Sequence, residues 1–98
     1  MKNNTQHHFP LAKLLKALDV TLDDLRGNCH RRDLVDARCI VAVMIKEQDG
    51  VLQQDVAQVL NRTQGSISKM ISRHYGLLQW DASYKEKYEN LKNSLSTL

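Results

Sequence analysis

The chain predicts an all-α fold, a compact bundle of about six helices that contains a helix-turn-helix. Three features predict it. Apolar residues return every three or four positions, β-branched residues nowhere alternate with polar ones over a useful length, and capping residues or glycines punctuate the periodic runs. A chain of 98 residues has room for one domain around one core. Residues 9–98 are therefore expected to form a single helical unit behind a polar start, "MKNNTQHH" at 1–8, that is expected to fray.

Each element follows from local chemistry. Pro10 suits the first turn of a helix that presents Leu11, Leu14, Leu15 and Leu18 on one face. Thr21 with Asp24 three residues on resembles a capping box, and opens a short second helix that holds Leu22 and Leu25 and stops at Gly27. A third helix is predicted from about Asp33 to Gln48, burying Leu34, Ala37, Val41, Met44 and Ile45 and ended by Asp49–Gly50. Its centre, "CIVAVMI" at 39–45, is apolar nearly all round, which marks the central core helix. Gln53 to Leu60 and roughly Gln64 to His74 form two further helices separated by "NRT", with Gly76 as the stop of the second. Asp81 caps a last helix whose Tyr84, Tyr88, Leu91, Leu95 and Leu98 share a stripe.

Composition narrows the function classes. No apolar run approaches the length of a bilayer span, and the start has no signal-peptide core, so a cytoplasmic protein with no membrane partner is expected. Cys29 and Cys39 fit no C-x-x-C pattern and are expected as reduced thiols. Neither they nor His7, His8, His30 and His74 follow a known zinc spacing, so no metal or other cofactor is expected. His74 beside Arg73 and Tyr75, or His30 beside Cys29, lacks a third orienting group at a telling spacing, and the chain is expected not to be an enzyme. The net charge is +3, and the surplus is central: Lys plus Arg against Asp plus Glu is 4 to 3 over residues 1–28, 7 to 5 over 29–74 and 3 to 3 over 75–98.

That surplus points to one motif. A helix of about eight residues, a tight turn and a second helix is the layout of a helix-turn-helix. Ala57 is small where the second helix must approach, Asn61 tolerates the left-handed backbone of the turn, and Val56, Leu60, Ile67 and Met70 supply apolar contacts. The outward positions are then Gln64, Gly65, Ser66, Ser68, Lys69, Ser72 and Arg73, all small, uncharged polar or cationic. From Val56 to Gly76 there are three Lys or Arg and no Asp or Glu, whereas a solvated helix face mixes the two signs. Such a face can enter a DNA major groove without steric or electrostatic conflict.

Three blocks also carry a family resemblance over nearly the whole chain, from about Leu11 to Leu95. "LDVTLDDLRGNCHRRDLVDARCIVAVMI", "LQQDVAQVLNRTQGSISKMI" and "YKEKYENLKNSL" resemble the short helix, basic loop and central helix, then the helix-turn-helix, then the final helix, of the C-terminal DNA-binding domain of the bacterial replication initiator DnaA. The resemblance implies that the second helix of the motif enters the major groove while an arginine of the basic loop reaches the adjoining minor groove. By position, Arg38 matches the family's Arg of the "PRQ"-type run and Arg32 a basic-loop Arg. Arg62 matches the Arg of the "GRDHTTV" signature, Ser66 its second Thr, Ile67 its Val and Lys69 the following His. Where the family has Asp-His-Thr this chain has Thr63, Gln64 and Gly65, which predicts a preferred site other than the initiator's usual box. The initiator's ATPase module has no counterpart here: the chain contains no G-x-x-x-x-G-K-[ST], so no ATP site is expected, and the resemblance implies a stand-alone domain serving replication or transcription control or a mobile element.

The expected partner is double-stranded DNA. Gln64, Ser66 and Lys69 are assigned to the major groove, Arg62, Ser68 and Arg73 chiefly to phosphates, and Arg31 or Arg32 to the backbone or minor groove. Each has a structural alternative. Thr63 serves equally as a helix cap or a base reader, and Arg31 and Arg32 can pair with Asp33 and Asp36. The rival reading is a helical protein-interaction module that has lost DNA binding and grips a partner through Tyr75, Leu77, Leu78 and Trp80, which otherwise cap the core.

Overall fold

Thr21 sets the pattern by which this chain starts its helices. Its hydroxyl oxygen accepts from the Asp24 backbone N–H at 3.1 Å while the Asp24 carboxylate accepts from the Thr21 N–H at 3.0 Å, a reciprocal capping box that satisfies two otherwise orphaned donors. The computed structural model of the chain describes residues 11–48 and 50–96, and among these it contains six helices and no strand. They are α1 (Leu11–Leu18), α2 (Leu22–Arg26), α3 (Arg32–Lys46), α4 (Gln53–Leu60), α5 (Gln64–Trp80) and α6 (Ala82–Ser96). Pro10, Asp49 and Leu98, and the side chain of Leu95, lie outside the described residues.

The all-α bundle agrees with the periodicity. α3 is buried nearly all round, through Leu34, Ala37, Cys39, Ile40, Val41, Ala42, Val43 and Ile45, and it packs against α2, α4 and α5. α6 leans on α1 and α5 and buries Tyr84, Tyr88 and Leu91 on one stripe. The Cα radius of gyration is 13.1 Å, close to the ~13 Å of a folded domain of this length.

Two boundaries differ from expectation. α3 runs Arg32–Lys46 rather than from Asp33 to Gln48, with Arg31 as its N-cap residue. The larger correction is α5, which does not stop near His74 at Gly76 but continues to Trp80. Gly76 lies inside the helix and nothing lies within 4 Å of the position its Cβ would take. Leu77 and Leu78, just beyond it, pack half-buried against the core, and that burial outweighs the roughly 1 kcal/mol by which a glycine disfavours a helix interior. The stop comes at Asp81, whose carboxylate accepts from the Tyr84 N–H at 3.1 Å and so starts α6.

Candidate nucleic-acid interface

The turn between α4 and α5 fixes how α5 leaves the bundle. Asn61 adopts the left-handed conformation, φ 55° and ψ 50°, and the Arg62 N–H returns to the Ala57 carbonyl at 2.8 Å, which closes α4. Thr63 then caps α5, its hydroxyl accepting from the Ser66 N–H at 3.1 Å and lying 3.2 Å from the Ser66 hydroxyl. Gln53 donates from its side-chain amide to the Gln64 carbonyl at 2.9 Å, tying the first turn of α5 back to α4. Ala57, Val56, Leu60 and Ile67 are buried between the two helices and Met70 is half-buried beside them.

That frame turns one face of α5 outward. Gln64, Gly65, Ser68, Lys69, Ser72 and Arg73 are exposed and Ser66 is half-buried. Neither Lys69 nor Arg73 forms an ion pair among the described residues, and the Gln64 amide makes no hydrogen bond there. No carboxylate occurs between Val56 and Trp80. Of the side chains assigned to base or phosphate contact, Thr63 serves as a cap, and Ser66 turns its backbone N–H and hydroxyl to Thr63.

The basic loop is held from beneath by two arginines whose acceptors are all carbonyl oxygens. Arg38, 5% exposed, donates to Leu25 at 2.8 Å, Cys29 at 2.7 Å, Gly27 at 3.1 Å and Asp24 at 3.2 Å. Arg62 donates to Gly27 at 2.6 Å, Arg26 at 3.0 Å and Leu60 at 3.3 Å. Arg62, assigned from sequence to phosphate, thus has its guanidinium turned to the protein's own backbone, where it joins the helix-turn-helix to the end of α2. Burial first, and then the charge of Arg62, hold the Arg38 pKa below its ordinary value. The role of Arg38 as a clamp was missed in the sequence. The placing of Arg38 directly before the apolar run 39–45 of the core helix was the available signal, because a buried guanidinium must find several acceptors.

The two outer arginines take the ion pairs open to them. Arg31 meets Asp33 at 3.1 Å, both well exposed. Arg32 meets Asp36 at 3.1 Å and, across the fold, Asp81 at 2.8 Å, a pairing with no sequence signal since the two positions are far apart. The hydrogen bond to Asp36 raises the Arg32 pKa, as the bond to Asp33 does for Arg31.

Loop and helix meet at an open concavity of about 250 Å³ between α3 and α5. His30, Arg38, Arg62, Lys69 and Arg73 line it, and no carboxylate does. It lies between the loop and the middle of α5, so His30 of the loop and the outward cations Lys69 and Arg73 flank one surface. Elsewhere on α5, Tyr75 is 53% exposed and Trp80 82%, while Leu77 and Leu78 are packed on the core. The expectation that all four cap the core therefore holds for the leucines and fails for the two aromatic residues, which lie outside the buried face. No helix among the described residues is long and apolar enough to cross a membrane. Comparison of the chain with protein-family models, with curated proteins and with solved structures returned no match.

Proposed function

We propose that this chain binds double-stranded DNA with a preference for sequence, placing the first half of α5 in the major groove and the basic loop 30–32 against the backbone or adjoining minor groove. The observation that carries the reading is the outward face of α5. Six exposed residues, Gln64, Gly65, Ser68, Lys69, Ser72 and Arg73, are small, polar or cationic, without a carboxylate, on a helix whose exit is fixed by the Asn61 turn and the Thr63 cap. A major groove about 12 Å wide admits such a helix, and the missing acid is what proximity to phosphate requires. Gln64 is in the first turn, where side chains reach base edges, and its free amide can bond bidentately to adenine N6 and N7. The resemblance to the initiator's DNA-binding domain supports the same docking, and the departures at Thr63, Gln64 and Gly65 support a different target sequence.

Selection of bound sequences from a random duplex library tests the reading. An enriched motif distinct from the initiator's box is the expected result. Recovery without enrichment, or no recovery, contradicts it. The second reading, a protein-interaction module, draws on Trp80 and Tyr75, whose exposure leaves two aromatic side chains uncovered on the last part of α5.

A further inference from the structure

Arg38 and Arg62 satisfy their donors on carbonyl oxygens, which carry no net charge. Two guanidinium charges therefore stand behind the concavity without a carboxylate to neutralise them. Buried or half-buried cations of this kind ordinarily pair with an acid, and here none lines the site. Above them, Lys69 and Arg73 lie one turn apart on α5, a like-charge i,i+4 pair that works against the helix. Their other helical neighbours at three and four residues, Gly65, Ser66, Met70, Ser72, Gly76 and Leu77, bring no acid either. His30 faces them from the basic loop, while Val35, Cys39 and Met70 make the remaining lining apolar.

We propose that this concavity is a seat for one phosphate carried on a sugar, in which Lys69 and Arg73 close on the same phosphate, His30 donates from the loop side, and Val35 and Met70 receive the adjoining deoxyribose. The source of that phosphate is the backbone of bound DNA, and in this respect the proposal rests on the DNA-binding reading. It reassigns Lys69 from base contact to backbone contact and makes Arg38 and Arg62 positioning residues that hold the loop and supply a fixed positive potential. A compact anion suits the site because Arg38, Arg62, Lys69 and Arg73, four of its five polar side chains, are charged at any working pH. An apolar lining beside a cationic rim matches the two parts of a sugar phosphate.

The test uses the whole chain, a K69A/R73A variant, and a K85A/K87A variant that removes two exposed cations from α6. Lys69 and Arg73 are exposed, so the first variant should fold, as circular dichroism will verify. Duplex affinity is expected to fall about ten- to a hundredfold in K69A/R73A and little in K85A/K87A. Two cations on one phosphate release one phosphate's counterions, so the slope of log affinity against log salt should become shallower by about one, not two. A scan of neutral methylphosphonate linkages should find one position that weakens the wild type but not K69A/R73A. Inorganic phosphate, against chloride at matched ionic strength, should raise the wild-type Tm and leave that variant unmoved. A slope change of about two, equal affinity of wild type and variant for duplex, or equal stabilisation of both by phosphate overturns the seat. If duplex is bound and the variant matches the wild type, the seat fails while the DNA reading stands. If duplex is not bound and phosphate stabilises only the wild type, the seat stands with a free phosphate as its ligand and the DNA reading fails.

Discussion

His74 is fully buried between α5 and α6, its Nδ1 2.7 Å from the Tyr84 hydroxyl and its ring edge-on to Tyr88 at 4.5 Å. Nε2 has no hydrogen-bond partner among the described residues. Burial, and then the charge of Lys92, push its pKa down to about 4. The groups around it are Tyr75 on its own helix and Tyr84, Tyr88 and Lys92 on α6, none of them a carboxylate that could support an imidazolium. The folded-state pKa lies below the unfolded one, so the neutral form is the one that folding favours. The stability from this site is complete above about pH 6.5 and is lost as pH falls from there towards 4. Urea midpoints measured from pH 7.5 to 4 should fall by the equivalent of about 2–3 kcal/mol, and H74F should remove most of that slope. Asp24 and Asp33, whose pKa values are lowered by hydrogen bonds to Thr21 and Arg31, lose their contribution only at still lower pH. A slope unchanged in H74F would contradict this assignment. At this scale the sequence was least informative. The carbonyl clamps of Arg38 and Arg62 and the Tyr84 partner of His74 are tertiary contacts, and an arginine or histidine beside polar neighbours reads equally well as surface.

The helices themselves were largely legible, because their limits are set by chemistry within three or four residues. Thr21 with Asp24, Asn61, Thr63 and Asp81 each act through their own backbone or a near neighbour, and each occupies the structural position its type implies. Gly76 misled because a glycine's local preference competes with burial of residues beyond it, and only the packed structure decides which wins. Its conformation is helical and open space lies where a Cβ would go. Gly76→Ala should therefore stabilise the fold by about 0.5–1 kcal/mol, which for a domain of this size raises Tm by roughly 2–8 °C. A calorimetric scan of the two proteins checks this, and an unchanged or lower Tm would mean that α5 does not run unbroken through that position. Duplex affinity should not change, since Gly76 follows the first half of α5, which the proposed interface uses.

For the whole molecule, the fold brings together cations that the sequence separates. Arg38 on α3 and Arg62 in the turn line one concavity with Lys69 and Arg73 of α5, beside His30 of the loop, whose carbonyls the two clamps hold; Arg31 precedes α3 and Arg32 opens it. Arg31 already has a carboxylate partner, but an exposed pair of this kind is worth only ~0–1 kcal/mol, so exchanging it for phosphate costs little, whereas Arg32 is held by the buried Asp36 carboxylate and is harder to release. About three phosphates neutralised in this way, one each by Arg31 and Arg32 and one by Lys69 with Arg73, give a slope of log affinity against log salt near −3. Fluorescence anisotropy with a labelled duplex over a range of salt measures it. A flat dependence would remove the electrostatic basis of the reading.

Gln64 isolates the reading of base pairs proposed for the first turn of α5. Its amide is exposed and uncommitted while its backbone carbonyl is fixed by Gln53, so truncating the side chain leaves the turn in place. The decisive measurement is the affinity of wild type and Gln64→Ala for a selected duplex and for its scrambled counterpart, at several salt concentrations. A first turn seated in the groove predicts a loss of about 1–3 kcal/mol on the selected duplex and almost none on the scrambled one, with the salt slope unchanged. An unaltered ratio between the two duplexes would contradict it and leave α5 outside the groove.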